Sequence, residues 1–190
     1  MTQLLAGLVL FLGMHSISIF ATGWRDSIAA KNAIAWKLVY GLISIVGIIV
    51  MAQGYSELRA TPTVLYVTPV WMRHVAAVLL APVFILVVAS LFPGRISAAT
   101  KNPLLVATKL WALAHLLVNG TLADVILFGS FLVWAVADRI SLKRRAPRPY
   151  PAAPPSDAND IIAIVAGLAV YGIMVVWAHN ALFGVPVLTG

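Results

Sequence analysis

The chain has 190 residues, of which 62% are hydrophobic and only 10% are charged. A soluble domain carries about 45–50% apolar and about 25% charged residues, so this composition excludes a water-soluble globular protein and indicates an integral membrane protein. The net charge of +7 comes from basic residues in short loops between apolar stretches, a distribution that predicts membrane orientation and no nucleic-acid binding. No cysteine is present, which excludes disulfides and thiolate chemistry.

Six apolar stretches follow one another along the chain, and each predicts a membrane helix. They lie at roughly 4–21, 37–52, 74–92, 104–118, 123–137 and 161–184. A helix needs about 20 residues to cross the hydrocarbon core. The first, third and sixth stretches reach that length, whereas the other three must borrow flanking residues or thin the bilayer. The predicted fold class is therefore all-α, a polytopic transmembrane helix bundle of about six helices that forms a single membrane domain over residues 1–190.

The loops predict the orientation of this bundle. With six crossings, the loops after the first, third and fifth stretches share one side and hold ten of the 13 Lys and Arg residues, against only Arg59 and Arg73 on the other side. The positive-inside rule places the basic side in the cytoplasm and both termini in the periplasm. The stretch "RAPRPYPAAPPSDAND" at 145–160 is too rich in proline to be helical, and it predicts a cytoplasmic linker at about 140–160 before the last helix.

Four histidines are candidate ligands, since neutral imidazole often binds haem iron and other metals. His74 and His179 fall at the predicted outer ends of two helices, where an interfacial position is the simpler interpretation. His15 lies deep in the first stretch and His115 lies in the outer part of the fourth. A polar group in hydrocarbon is costly unless it has a partner, so His15 and His115 are the stronger candidates. At 1.5 Å per residue, His15 is deeper by about 10 Å, so a haem shared by the two requires tilted helices or helix boundaries that differ by several residues from those predicted.

Three further features leave alternatives open. Trp111 precedes His115 by four residues and shares its helix face, so it either lines a flat cofactor or packs on a neighbouring helix. Arg25 in "GWRD" either anchors a helix end or holds an acidic group such as a propionate. Asp124 opens the fifth stretch, where a carboxylate suits a helix N-terminus. The small residues of "FGSF" at 128–131 predict a face that another helix can approach closely.

Several motifs together resemble the NnrU family of bacterial membrane proteins. They occur in order between about residues 5 and 139, and they are "LVLFLGMHSI", "GWRD", "NPLL", "WALAHLLVNG" and "LFGSFLVWAVADR". Members usually have histidine where this chain has Asn102, and they often have aspartate where it has Thr121. The resemblance implies a multi-pass protein of the bacterial inner membrane that supports denitrification, in the production of active nitrite and nitric oxide reductases. It also implies denitrification reductase subunits as partners, in addition to the lipid bilayer that the composition predicts.

The same motifs are similar to those of plant zeta-carotene isomerase, a membrane enzyme that carries haem b. The haem ligands of that relative match His15 in an "HS" element and His115 in a "W-x-x-x-H" element, so the resemblance implies haem b with both histidines on the iron. The relative also has an alternative cysteine ligand, at the position of Ala112. Two other functions stay open. One is an isomerase-like or methyltransferase-like enzyme acting on a lipid or polyene, with Trp111 and His115 on the cavity wall. The other is a noncatalytic membrane assembly factor that docks a partner on "FGSF".

Overall fold

The structure, a computed structural model, describes residues 1–146, 148 and 150–187, and its regular elements are helical. The six apolar stretches and the two basic loops after the first and third all form helices. In chain order the helices are α1 (Thr2–Phe20), α2 (Thr22–Lys31), α3 (Ala33–Ala60), α4 (Met72–Leu91), α5 (Arg95–Thr100), α6 (Pro103–Val118), α7 (Leu122–Leu142) and α8 (Asn159–Phe183). Helix α8 contains a π-helical turn at Met174–Ala178.

The predicted all-α class and its membrane character are confirmed. Five helices (α1, α3, α4, α7 and α8) are long and apolar enough to cross a bilayer, and α6 is an apolar helix of 16 residues. Helices α3 and α7 have 28 and 21 residues, so two of the three stretches that appeared short do extend into their flanks. The described part of 146–158 lies outside the helices, as the proline-rich linker requires. The side of the membrane on which each terminus lies stays a prediction.

By their internal contacts the residues form two compact units, at 1–66 with 121–145 and at 67–120 with 146–190. In the first unit α1 packs chiefly on α3, and both also contact α7. Glycines allow this close approach: a Cβ atom at Gly7 would lie 2.3 Å from the Met51 nitrogen, and one at Gly54 would lie 2.3 Å from the Leu4 nitrogen. Small residues are the usual device by which membrane helices bring their backbones together.

The sequence analysis predicted that another helix can approach closely at the "FGSF" stretch of α7. A Cβ atom built on Gly129 meets no atom of the described chain within 4 Å. Within the first unit, close approach at glycines occurs between α1 and α3 and not at Gly129, and docking of a partner on "FGSF" stays a prediction. In the same stretch Phe128 is buried, and Gly129, Ser130 and Phe131 are half-buried.

In the second unit α4 packs on both α6 and α8. Gly167 of α8 lies against Ile85, where a Cβ atom would come within 2.5 Å of the Ile85 backbone. The Tyr171 hydroxyl donates to the Ala77 carbonyl at 2.8 Å. At the start of α8, the Asp160 carboxylate accepts from the backbone nitrogens of Arg95 and Ile96 at 3.1 and 3.0 Å. It therefore caps α5 and joins the linker end of α8 to the α4–α5 corner.

Candidate cofactor site

The second unit brings two histidines together. His115 is near the end of α6 and His179 is in the last turns of α8, and their ring centres are 6.5 Å apart with an angle of 30° between the planes. The sequence analysis favoured an interfacial position for His179 and did not pair it with His115. The pairing depends on which helices pack on α4, and the sequence carries no local signal for that.

Local backbone geometry positions both imidazoles. The Nδ1 atom of His115 is 2.8 Å from the Trp111 carbonyl oxygen, and that of His179 is 2.7 Å from the Val185 carbonyl oxygen. Gly184 adopts a positive φ of 68° and ends α8, which glycine does without strain, and the chain then turns so that Val185 lies beside His179. Because a carbonyl can only accept, each Nδ1 carries the proton, and Nε2 is the nitrogen that can bind a metal.

The π-helical turn immediately before His179 adds to this geometry. Met174–Ala178 bonds with an i to i+5 pattern, which inserts one extra residue into the helix and rotates everything that follows. Such turns are rare and are frequent at functional sites.

The histidine pair lines a cavity of about 340 Å³, a size within the range of small-molecule sites. Arg73, at the start of α4, and Asn119, which follows α6, supply polar groups, and the remaining walls are mostly aliphatic. The lining residues are Arg73, Ala76, Ala77, Leu80, Ala114, His115, Val118, Asn119, His179, Val185, Pro186 and Val187. The combination of two imidazoles, one guanidinium and apolar walls suits an apolar ligand that carries a metal and an anionic group.

The spacing of the two imidazoles limits how a metal ion could be bound in this cavity. A metal ion bonded to two imidazole nitrogens at about 2.0–2.1 Å holds the ring centres roughly 5–6 Å apart, so the observed separation of 6.5 Å is larger than that of two imidazoles on one metal ion. A haem iron takes one or two protein ligands because the macrocycle supplies the other four. In the described ranges 1–146, 148 and 150–187, no group of three or more His, Cys, Asp or Glu side chains has a metal-binding arrangement.

His15 lies in the first unit, so the structure describes its surroundings separately from those of His115. Its Nδ1 atom is 2.7 Å from the Phe11 carbonyl oxygen, which again makes Nε2 the metal-binding nitrogen. The ring lies 4.2 Å from that of Phe11, 5.0 Å from Tyr40 and 5.7 Å from Trp134, which meets it edge-on. The Trp134 indole N–H is a buried donor for which the described chain supplies no acceptor. The predicted role of His15 as an iron ligand stays a prediction.

Trp111 and Arg25 have protein contacts that suit the simpler alternatives of the sequence analysis. Trp111 lies 5.2 Å from the His115 ring and also packs on the buried cluster of Val83, Leu86 and Ala107. It is outside the lining of the 340 Å³ cavity. Arg25, in α2, forms an ion pair with Asp26 at 2.9 Å and lies over the ring of Trp36 at 5.7 Å. Cofactor binding by either residue stays a prediction.

Two buried carboxylates in the first unit have structural partners. Asp124 forms a capping box with Thr121 at the start of α7, as expected for a helix N-terminus, and it also accepts from the Tyr55 hydroxyl at 2.5 Å. Partial burial and the Asp124 carboxylate raise the pKa of Tyr66. Asp138 pairs with Arg145 at 2.7 Å, and Arg145 also donates to the Ser18 carbonyl at the end of α1. Most of these partners are distant in sequence, so only the fold brings them together.

Comparison with protein families matches residues 3–187 to the family described as NnrU protein. No curated protein and no solved structure matches the chain. The family match covers nearly the whole chain, including α1 to α8 and both histidine environments. This chain is therefore a member of the NnrU family.

Proposed function

We propose that this NnrU-family membrane protein binds b-type haem and supports the production of active nitrite and nitric oxide reductases in the bacterial inner membrane. The observation that supports haem most directly is the His115–His179 pair in the 340 Å³ cavity. The family resemblance supports the denitrification role and reductase subunits as partners.

The lining of the cavity offers donors of the kind that such a group uses. His115 would be the first iron ligand. The second would be His15, which the resemblance implies, or His179, which lies beside His115 in the structure. Arg73 supplies a cation that pairs with a carboxylate, and Ala76, Leu80 and other aliphatic side chains supply apolar walls. Haem b contributes one-electron redox chemistry when bound, while the protein sets the ligands, the orientation and the access of water.

The test is an absorption spectrum of the purified protein, oxidised and reduced, after expression with added haem. We expect a Soret band in the wild-type protein and in His74→Ala, because His74 is exposed and is outside the lining of the cavity. His115→Ala is expected to lose most of the bound haem. Comparison of His15→Ala with His179→Ala then identifies the second ligand as the variant with the larger loss. Absence of a Soret band from the wild-type protein, or a full band in a His15→Ala, His115→Ala double variant, would contradict the proposal.

The denitrification role has its own test in cells. A bacterial strain that lacks this chain is expected to have reduced nitrite and nitric oxide reductase activity, restored by the wild-type chain and by His74→Ala. His115→Ala is expected to restore little activity, provided that immunoblots show equal amounts of both variants in the membrane. Full reductase activity in the strain without the chain would refute the supporting role.

A second candidate function is catalysis on a lipid or polyene, which the apolar walls around His115 favour. Trp111 was expected on the same wall and lies outside the lining. Organic extraction of purified protein followed by mass spectrometry distinguishes this function. A bound polyene or lipid that is lost in Ala114→Phe, while thermal unfolding shows that the variant keeps its fold, supports an apolar substrate in the cavity, whereas equal lipid content in the variant argues against it.

A further inference from the structure

The connection between α3 and α4 has an unusual composition for a loop. Residues 61–71, "TPTVLYVTPVW", contain no charged side chain and are non-helical throughout. Their apolar side chains nevertheless point outward: Val67 is 87% exposed and Trp71 is 60% exposed, and Val64, Leu65 and Val70 are each more than half exposed. Loops in water normally carry polar residues, so these side chains require an apolar environment.

The environment follows from the two helices that this segment joins. Both α3, which ends at Ala60, and α4, which begins at Met72, are long and apolar enough to cross a bilayer. The segment therefore continues directly from a membrane-spanning helix at each end. Arg59 and Arg73 flank it on either side, and basic residues with tryptophan are typical of the membrane–water boundary.

Backbone hydrogen bonding determines how deeply residues 61–71 can lie in the bilayer. Irregular backbone that faces lipid is not stable in the hydrocarbon core, because its N–H and C=O groups have no partners there. A bridge between Val64 and Thr121 pairs the early part of the segment, and the carbonyls of residues 69–71 accept from the first turn of α4. The segment has no helical ladder to satisfy its other backbone groups. The interfacial layer meets both requirements, since it offers acyl chains to the side chains and water or headgroups to the backbone.

We infer that residues 61–71 form a membrane-surface anchor that lies in the interfacial layer of the bilayer, with Val67 and Trp71 inserted at the headgroup–acyl boundary. The partner is the lipid surface itself. This contact is separate from the cavity ligand and does not depend on the proposed function.

Because the chain has no cysteine, single labels can be placed without background. We suggest Val67→Cys carrying an NBD fluorophore, with the whole protein reconstituted in phosphatidylcholine–phosphatidylglycerol vesicles. Two matched variants calibrate depth: Asp157→Cys on the exposed linker for water, and Val133→Cys, 70% exposed in the middle of α7, for hydrocarbon. All three side chains are exposed, so the substitutions are expected to leave the fold unchanged, which thermal unfolding of each variant verifies.

We expect the label at position 67 to lie at a depth between those of the labels at 157 and 133. Iodide quenches the label at position 67 several-fold less than the label at 157, and lipids with a spin label near the headgroup quench it more than lipids labelled deep in the acyl chain. The label at 133 shows the opposite lipid preference. Iodide quenching equal to that at 157 would overturn the inference. Deep quenching equal to that at 133 would also overturn it, as would efficient disulfide cross-linking between two unlabelled copies of the Val67→Cys variant, which would assign the surface to a dimer.

Discussion

Replacing Gly7 by alanine tests the close packing of α1 on α3. The added Cβ atom would lie 2.3 Å from the Met51 nitrogen and 2.5 Å from its Cα atom. Ordinary contact between such atoms begins at about 3.5 Å, so the helices must separate by roughly 1 Å. Backbone atoms of α3 cannot rotate away as a flexible side chain would.

Gly13 provides a control on the same helix, because a Cβ atom there meets nothing within 4 Å. Alanine is favoured over glycine inside a helix by about 1 kcal/mol at either position, so this gain cancels when the two variants are compared. The difference that remains is the overpacking cost, about 1–3 kcal/mol. For a chain of this length, each kcal/mol shifts the melting temperature by about 2–4 °C, so Gly7→Ala should melt about 2–12 °C below Gly13→Ala.

The assay is thermal unfolding of the two variants and the wild-type protein in the same detergent, followed by tryptophan fluorescence and by retention on size-exclusion chromatography. Gly13→Ala is expected to match or slightly exceed the wild-type melting temperature. Equal melting temperatures for Gly7→Ala and Gly13→Ala would refute the packing of α1 against Met51 at this position.

Two further predictions concern buried polar contacts, both measured by the same unfolding assay. Tyr55→Phe removes the hydroxyl that donates to Asp124. The protein should lose about 1.5–3 kcal/mol of stability, which is the range for hydrogen bonds to charged groups. An unchanged melting temperature would show that the bond contributes nothing. Arg145→Met leaves the Asp138 carboxylate buried without its cation. Breaking a buried ion pair in this way costs about 3–5 kcal/mol of stability. Because the side chains of Arg145 and Asp138 are still 14% and 11% exposed, we expect a loss at the lower end of this range. The neighbouring, exposed Arg144→Met is the control, and an equal effect of both arginine variants would contradict the ion pair's role.

Helix positions were largely predictable because their causes are local. The predicted stretch at 104–118 corresponds to Pro103–Val118, and that at 161–184 corresponds to Asn159–Phe183. Continuous apolar composition and proline breaks decide such boundaries without reference to other parts of the chain. Helix α3 begins earlier and ends later than predicted. The helix continues past the apolar stretch into polar residues, which include Gln53, Glu57 and Arg59.

By itself, the sequence determined that this protein is a helical membrane protein, which stretches form its helices, and that His15 and His115 are the candidate ligands. Those conclusions depend on the free energy of transferring single residues or short segments into lipid. Only the tertiary structure decided that His179 lies beside His115, that Arg73 lines the same cavity and that Gly7 rather than Gly129 makes a close helix contact. The physical reason is that helix pairing depends on the fit of whole faces, and residues that meet across those faces are tens of positions apart in the chain.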